Sequence, residues 1–178
     1  MNALLIIDVQ RGMFADPSLQ PHDGEATASR IAGFLHAARA TGHPVIFIQH
    51  DGGPGDALDA DGPGFAFHPA LTPAPEEPVF TKTHCSAFQD TLLAEYLARA
   101  GIKSLTVCGM QTEFCVDTTC RAAAERGFGL TLVSDGHTTF DSPGLTAEAM
   151  IRHHNNVLAM GFDASLRTAA EIEKSFGG

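Results

Sequence analysis

Three side chains stand where a folded chain can do chemistry. Asp8 closes the apolar run Leu4-Leu5-Ile6-Ile7. A carboxylate there is partly desolvated unless it faces a site; the alternative is that it accepts from loop amides. Cys115 follows the apolar stretch Ser104–Cys108 and the turn Gly109-Met110-Gln111-Thr112-Glu113-Phe114, which places it at the start of a helix. Amides at a helix N-terminus stabilise negative charge, so they favour a thiolate and can hold an oxyanion. Lys82 follows Pro78-Val79-Phe80-Thr81. Beside a carboxylate and a thiolate, a lysine holds both and orients a proton transfer. The structural alternatives are a capping carboxylate, a small buried hydrophobe and a solvated lysine.

Three further cysteines compete with Cys115. Cys85 is the rival nucleophile, but no helix start lies at its position. Cys108 lies inside an apolar strand and Cys120 one turn beyond Val116, and both fit buried hydrophobes. The spacing contains no C-x-x-C, so a zinc ribbon or a thioredoxin-type site is not indicated. A metal reading would use His50, Asp51, His68 and His84, but no H-E-x-x-H accompanies them. Asp56, Asp59 and Asp61-Gly62 resemble a calcium loop only loosely. His153-His154 read as surface or packing residues. Neither a phosphate-binding G-x-x-x-x-G-K-[ST] nor a strand-linked G-x-G-x-x-G is present, so a nucleotide cofactor is unsupported.

The elements that must position these groups alternate. Ala3–Val9 is a compact apolar run and reads as a fully buried strand. Ala26–Ala40 has helical spacing in Ile31, Phe34, Leu35 and Ala38, closed by Gly42. Pro44–Gln49 is a second strand, residues 51–78 a long Gly-, Pro- and Asp-rich loop, and Val79–Lys82 a short strand. A helix capped by Ser86 or Asp90 is expected to run to Ala100. Ser104–Cys108 is a strand, followed by a helix from Thr112 to Arg126. A strand at Phe128–Ser134 and a helix at Thr146–Met160 come next. A strand near Ala164–Leu166 and a helix from Thr168 to Ser175 complete the order. This alternation implies a mostly parallel sheet between helices, with ligand sites beyond the carboxyl ends of the strands. A loop as long as 51–78 inside a compact domain is usually functional.

Size and charge narrow the function. The 178 residues suit one domain with its own core. The net charge of −10, from 11 Lys plus Arg against 21 Asp plus Glu, argues against nucleic acid and against an anionic membrane surface. The start lacks the basic region and apolar length of a secretory signal, and no apolar run approaches a membrane span. The expectation is a cytoplasmic protein with reduced thiols.

In combination and in this order, three segments resemble the isochorismatase-like cysteine hydrolases. They are Leu4-Leu5-Ile6-Ile7-Asp8-Val9-Gln10, the Lys82 segment leading to Ser86-Ala87-Phe88, and Gly109-Met110-Gln111-Thr112-Glu113-Phe114-Cys115-Val116-Asp117-Thr118-Thr119. The resemblance runs from Ala3 to about Ala170. It implies a single three-layer αβα domain around a mostly parallel six-stranded sheet. It also implies a triad in which Cys115 is the nucleophile, Asp8 the base and Lys82 the group that holds the ion pair. A cis peptide would join Met110 to Gln111, and the amides of Gln111 and Cys115 would form the oxyanion hole. The implied reaction is hydrolysis of a C–N amide-type bond of a small molecule through a thioester, without cofactor or metal. The family also contains vinyl ether hydrolases, which need an acid but no thiol, and nicotinamidases, which bind a metal at an Asp-x-His motif. Here that place reads Ile48-Gln49-His50-Asp51-Gly52, without the motif. A third alternative is a non-catalytic member that binds a ligand or assembles with partners. Pocket walls are expected from Phe14, His84, Phe88 and Phe114. A homodimer or homotetramer is implied by the family.

Overall fold

A computed structural model of the chain describes residues 1–177. Eleven principal elements follow the expected alternation. They are β1 (Asn2–Ile7), α1 (Gly24–Ala40), β2 (Val45–His50), β3 (Val79–Lys82), α2 (Leu93–Arg99), β4 (Ser104–Met110), α3 (Asp117–Glu125), β5 (Gly129–Thr138), α4 (Ala147–Phe162), β6 (Ser165–Arg167) and α5 (Ala169–Gly177). The strands form one six-stranded sheet in the order β3-β2-β1-β4-β5-β6, and every neighbouring pair is parallel. Parallel strands need crossovers; α1 to α4 supply four of the five, and the long loop after β2 supplies the one to β3.

The two-residue period of a strand divides the apolar runs between two cores. Leu5, Ile7, Ile46 and Ile48 face α2, α3 and α4, meeting Leu93, Leu97, Cys120, Ala123 and Leu158. Leu4, Ile6, Val45 and Phe47 face α1 and α5, meeting Ile31, Phe34, Leu35, Ile172 and Phe176. That explains why β1 and β2 read as unbroken apolar runs: both of their faces are covered. Full burial of an Ile or Leu side chain contributes roughly 1.5–3 kcal/mol, so these central strands make a stiff floor for whatever projects from their ends. Among the described residues no helix is long and apolar enough to cross a membrane.

Several boundaries differ from the sequence expectation, some of them near the strand ends. The helix expected from Ser86 or Asp90 begins at Leu93. Before it, the Ser86 hydroxyl accepts from the Phe88 amide, Thr91 donates to the Ala87 carbonyl, and Asp90 takes a left-handed backbone. Short polar side chains that satisfy local backbone compete with helix formation. The helix expected from Thr112 starts regularly only at Asp117, and residues Thr112–Val116 form a wider turn in which the Val116 amide reaches the Gln111 carbonyl at 3.1 Å. The Thr112 hydroxyl does not cap it; it hydrogen-bonds His137 instead. Strand β5 runs past Ser134 to Thr138. A register shift near Gly109 lets it resume pairing there, with His137 opposite Gly109 and Thr138 opposite Met110. Finally, α5 continues past Ser175 to Gly177.

The long loop after β2 is ordered by its own aspartates. Asp51 accepts from the Gly53 and Ala60 amides, Asp56 from Leu58, and Asp59 from Gly55 and Asp61. Gln10 then ties the loop to the sheet. Its side chain donates to the carbonyls of His50 and Phe65 and accepts from the His50 amide.

Candidate active site

The carboxyl ends of β1, β2, β3 and β4 converge on one buried group of polar side chains. Asp8 follows β1 with φ at 51°, a left-handed conformation that non-glycine residues seldom adopt. Its backbone is pinned on both sides, the amide donating to the Ile48 carbonyl and the carbonyl accepting from Gln10. Gly109, at the end of β4, is required by contact: a Cβ there would lie 2.0 Å from the Ile7 carbonyl oxygen, and its φ is 124°. That close approach brings the turn carrying Cys115 against the end of β1. The peptide joining Met110 to Gln111 is cis.

Lys82, the last residue of β3, makes the central contacts. Its Nζ donates to Asp8 Oδ2 at 2.6 Å, to Cys115 Sγ at 3.2 Å and to His50 Nδ1 at 3.2 Å. Both charged side chains of the ion pair are wholly buried, and Cys115 is 8% exposed. The second Asp8 oxygen, Oδ1, has no hydrogen-bond partner among the described residues. Burial pushes the Cys115 thiol up to about 12, the neighbouring Asp8 carboxylate adds to this, and Lys82 opposes it. The thiolate expected from a helix start is therefore not favoured: the regular helix begins only at Asp117, and burial with Asp8 beside it keeps Cys115 as the thiol. A thiolate forms here only if that proton moves, and an unpartnered carboxylate oxygen lies in the same buried cluster.

Cys115 opens onto a cavity of about 560 Å3. Gln111, Phe114, Met13, Leu19, Leu58 and Phe140 line it, with His50, Cys85, Asp16 and Asp56 among the polar groups. This volume suits a small molecule. Of the four expected wall residues, only Phe114 lies on the cavity, and it is 52% exposed. The other three are placed elsewhere. Phe14 packs on His68, with ring centroids 4.8 Å apart. Phe88 is core, stacked on Phe128 beneath the Arg126 guanidinium. His84 pairs with Asp90 on the surface. Aromatic type alone did not distinguish wall from core, because both uses bury the ring. Met13 lies in the short 3-10 turn Arg11–Phe14, and Leu19, Leu58 and Phe140 lie in irregular segments, where no periodicity marks them as wall residues.

The residues weighed as metal ligands do not gather. Asp51 serves loop amides, and His68 contacts Glu25 at 3.3 Å and the Ala70 amide. Asp8, His50 and Cys115 do place ligand atoms within 4.8 Å of one another. The Lys82 ammonium, however, contacts all three. Its positive charge repels a metal ion, so this donor set does not fit one. Cys85 is exposed, while Cys108 and Cys120 are buried, and burial raises both buried thiols, Cys120 to about 12.

A second buried network supports the turn. His137 receives the Thr112 hydroxyl at Nδ1, at 2.8 Å, and meets Asn155 Oδ1 at 2.9 Å through Nε2. Asn155 in turn donates to the Ser134 carbonyl. This polar column joins β5, α4 and the base of the turn that carries Cys115. Sequence reading missed it because β5 was expected to end earlier, at Ser134.

A family model described as "Isochorismatase domain" matches residues 2–160. The chain is 39% identical over 144 residues to "Streptothricin hydrolase" of Streptomyces noursei, covering 80% of this chain and 51% of that protein. It thus spans about half the length of that relative. It is 30% identical over 173 residues to "Ureidoacrylate amidohydrolase RutB" of Methylorubrum extorquens, covering 75% of this chain and 68% of that one. The crystal structure of a cysteine hydrolase from Pseudomonas syringae pv. phaseolicola 1448A superposes with a TM-score of 0.89 at 25% identity, covering 98% of this chain and 92% of that one.

Proposed function

The chain belongs to the isochorismatase family of hydrolases, and from that premise we propose that it is a cysteine-dependent amidohydrolase acting on a small molecule. The observation that carries this reading is Lys82 bridging a buried carboxylate and a buried thiol at a cavity wall. Asp8 is the base. Its free Oδ1 takes the Cys115 proton as the sulfur attacks the amide carbonyl carbon, and Lys82 holds the charges as they move. The backbone amides of Gln111 and Cys115 receive the oxyanion. Asp8 returns the proton to the leaving amine as the C–N bond breaks, leaving a thioester. Water then donates a proton to Asp8 and attacks the thioester, and Cys115 leaves with that proton. Every step uses one proton shuttled by one carboxylate, so a resting thiol with a raised pKa suits the mechanism.

The name of one relative, an amidohydrolase, and of one structural neighbour, a cysteine hydrolase, accord with this chemistry. Family precedent also supports a homodimer or homotetramer. A panel of small amides, read by ammonia or amine release, tests the function. Cys115→Ala is expected to reduce turnover to background with the fold retained by circular dichroism. A variant that keeps hydrolysing its substrate would instead favour vinyl ether chemistry, which uses no thiol. Dialysis against a chelator is expected to leave turnover unchanged; loss restored by zinc, iron or manganese would overturn the metal-independent reading.

A further inference from the structure

The ammonium of Lys82 has three N–H donors, and three acceptors surround it: Asp8 Oδ2, Cys115 Sγ and His50 Nδ1. An ammonium only donates, so Nδ1 of His50 must accept. That fixes the imidazole proton on Nε2. His50 also lines the cavity, and its backbone amide and carbonyl are both held by the Gln10 side chain. The ring is thus fixed at its base by Gln10 and at one nitrogen by Lys82.

From this geometry we infer that His50 is a catalytic residue, a neutral Nε2–H donor that contacts the substrate beside the scissile bond. It selects substrates bearing a second hydrogen-bond acceptor next to the carbonyl, such as a ureido oxygen, a keto oxygen or a heteroaromatic nitrogen. The inference rests on the proposed Asp8, Lys82 and Cys115 chemistry. A donor to a substrate acceptor differs from the oxyanion amides because it reads a group that does not change charge during the reaction.

The groups facing His50 agree with neutrality. Burial and the Lys82 charge depress its pKa, against opposing contributions from Asp8, Asp56 and Asp51. Cys115 faces it as a thiol. When His50 gains a proton at low pH, Nδ1 can no longer accept and the imidazolium faces an ammonium.

Two amide side chains separate the roles of the two ring nitrogens. Asparagine reaches the Nδ1 position and keeps an acceptor for Lys82, whereas glutamine reaches Nε2 and keeps a donor to the cavity. With the best amide from the panel, His50→Ala and His50→Asn are expected to lower kcat/KM about tenfold or more. His50→Gln is expected to recover most of that loss and to lack the acid limb that His50 adds to the pH profile. Recovery by asparagine and not glutamine would show action through Lys82 alone and overturn the inference. So would equal activity in all three variants. Long-range proton–nitrogen NMR on the unliganded protein gives a readout independent of turnover. The Nε2–H tautomer is expected at neutral pH, becoming mixed in Lys82→Met. An Nδ1–H tautomer or an imidazolium would overturn the inference, whereas retained hydrolysis in Cys115→Ala would overturn the cysteine mechanism instead.

Discussion

Two clusters in this molecule contain the same ingredients: a carboxylate, a cation, a histidine and a buried cysteine. One is Asp8, Lys82, His50 and Cys115; the other is Asp117, Arg121, His154 and the neighbouring Cys120. In the second, Arg121 and Asp117 are paired at i,i+4 on α3 with the guanidinium side chain 37% exposed, and His154 reaches Asp117 from α4 at 3.0 Å. Both Asp117 oxygens are engaged. In the first, the ion pair links β1 to β3 in full burial, one carboxylate oxygen is unpartnered, and the cluster borders a cavity. Burial raises both thiols to about 12, so the thiol's own pKa does not separate them. What separates them is an idle proton acceptor, an ammonium touching sulfur, and room for a substrate.

The sharpest way to break this comparison is to exchange the two thiols. Cys115→Ala is expected to abolish amide hydrolysis, while Cys120→Ala leaves kcat within about twofold and lowers stability by about 1 kcal/mol. Equal losses of activity would mean that cavity and carboxylate do not define the nucleophile. The ion pairs come next. Lys82→Met strands a buried Asp8 charge and is expected to cost about 3–5 kcal/mol in urea denaturation. Arg121→Ala removes a partly exposed pair and is expected to cost under about 1 kcal/mol.

A third experiment concerns the enclosed histidine that braces the turn. Burial depresses the His137 pKa from 6.5 to about 4. Between those values the unfolded chain binds the extra proton, so stability is complete above about pH 6.5 and falls as pH drops toward 4. The expected loss is about 3 kcal/mol, from the 6.5 to 4 interval, read as a falling urea midpoint. His137→Gln is expected to flatten that slope, whereas a change at the more exposed His154 should leave it in place. A slope unchanged by His137→Gln would assign the effect to carboxylates instead.

Much of the fold was legible because its physics is local. Unbroken apolar runs at Leu4–Ile7 and Val45–Ile48 announce strands covered on both faces, and the 3.6-residue spacing of Ile31, Phe34, Leu35 and Ala38 announces a helix. Where polar side chains choose between backbone and tertiary partners, the reading slipped. Thr112 had the look of a helix cap but bonds His137, and Ser86 and Thr91 satisfy their own loop. The same limit affected the cavity. Phe14, Phe88 and His84 have the types of wall residues, but neighbours far along the chain decide where each ring goes.

The sequence by itself determined the parallel αβα order, the acidic charge, a carboxylate and a lysine at strand ends, and a thiol in the turn after a strand. Those follow from composition and short-range period. Only the tertiary structure decided that the ends of four strands bring Asp8, His50, Lys82 and Cys115 into contact around one ammonium, while Asp51 and His68 turn to other partners. It also decided that Cys115 lies before the regular helix, where burial and Asp8 raise its thiol. Contacts between residues 8, 50, 82 and 115 depend on strand order and register, and desolvation depends on everything packed around them. Neither quantity exists until the sheet has closed its neighbours together.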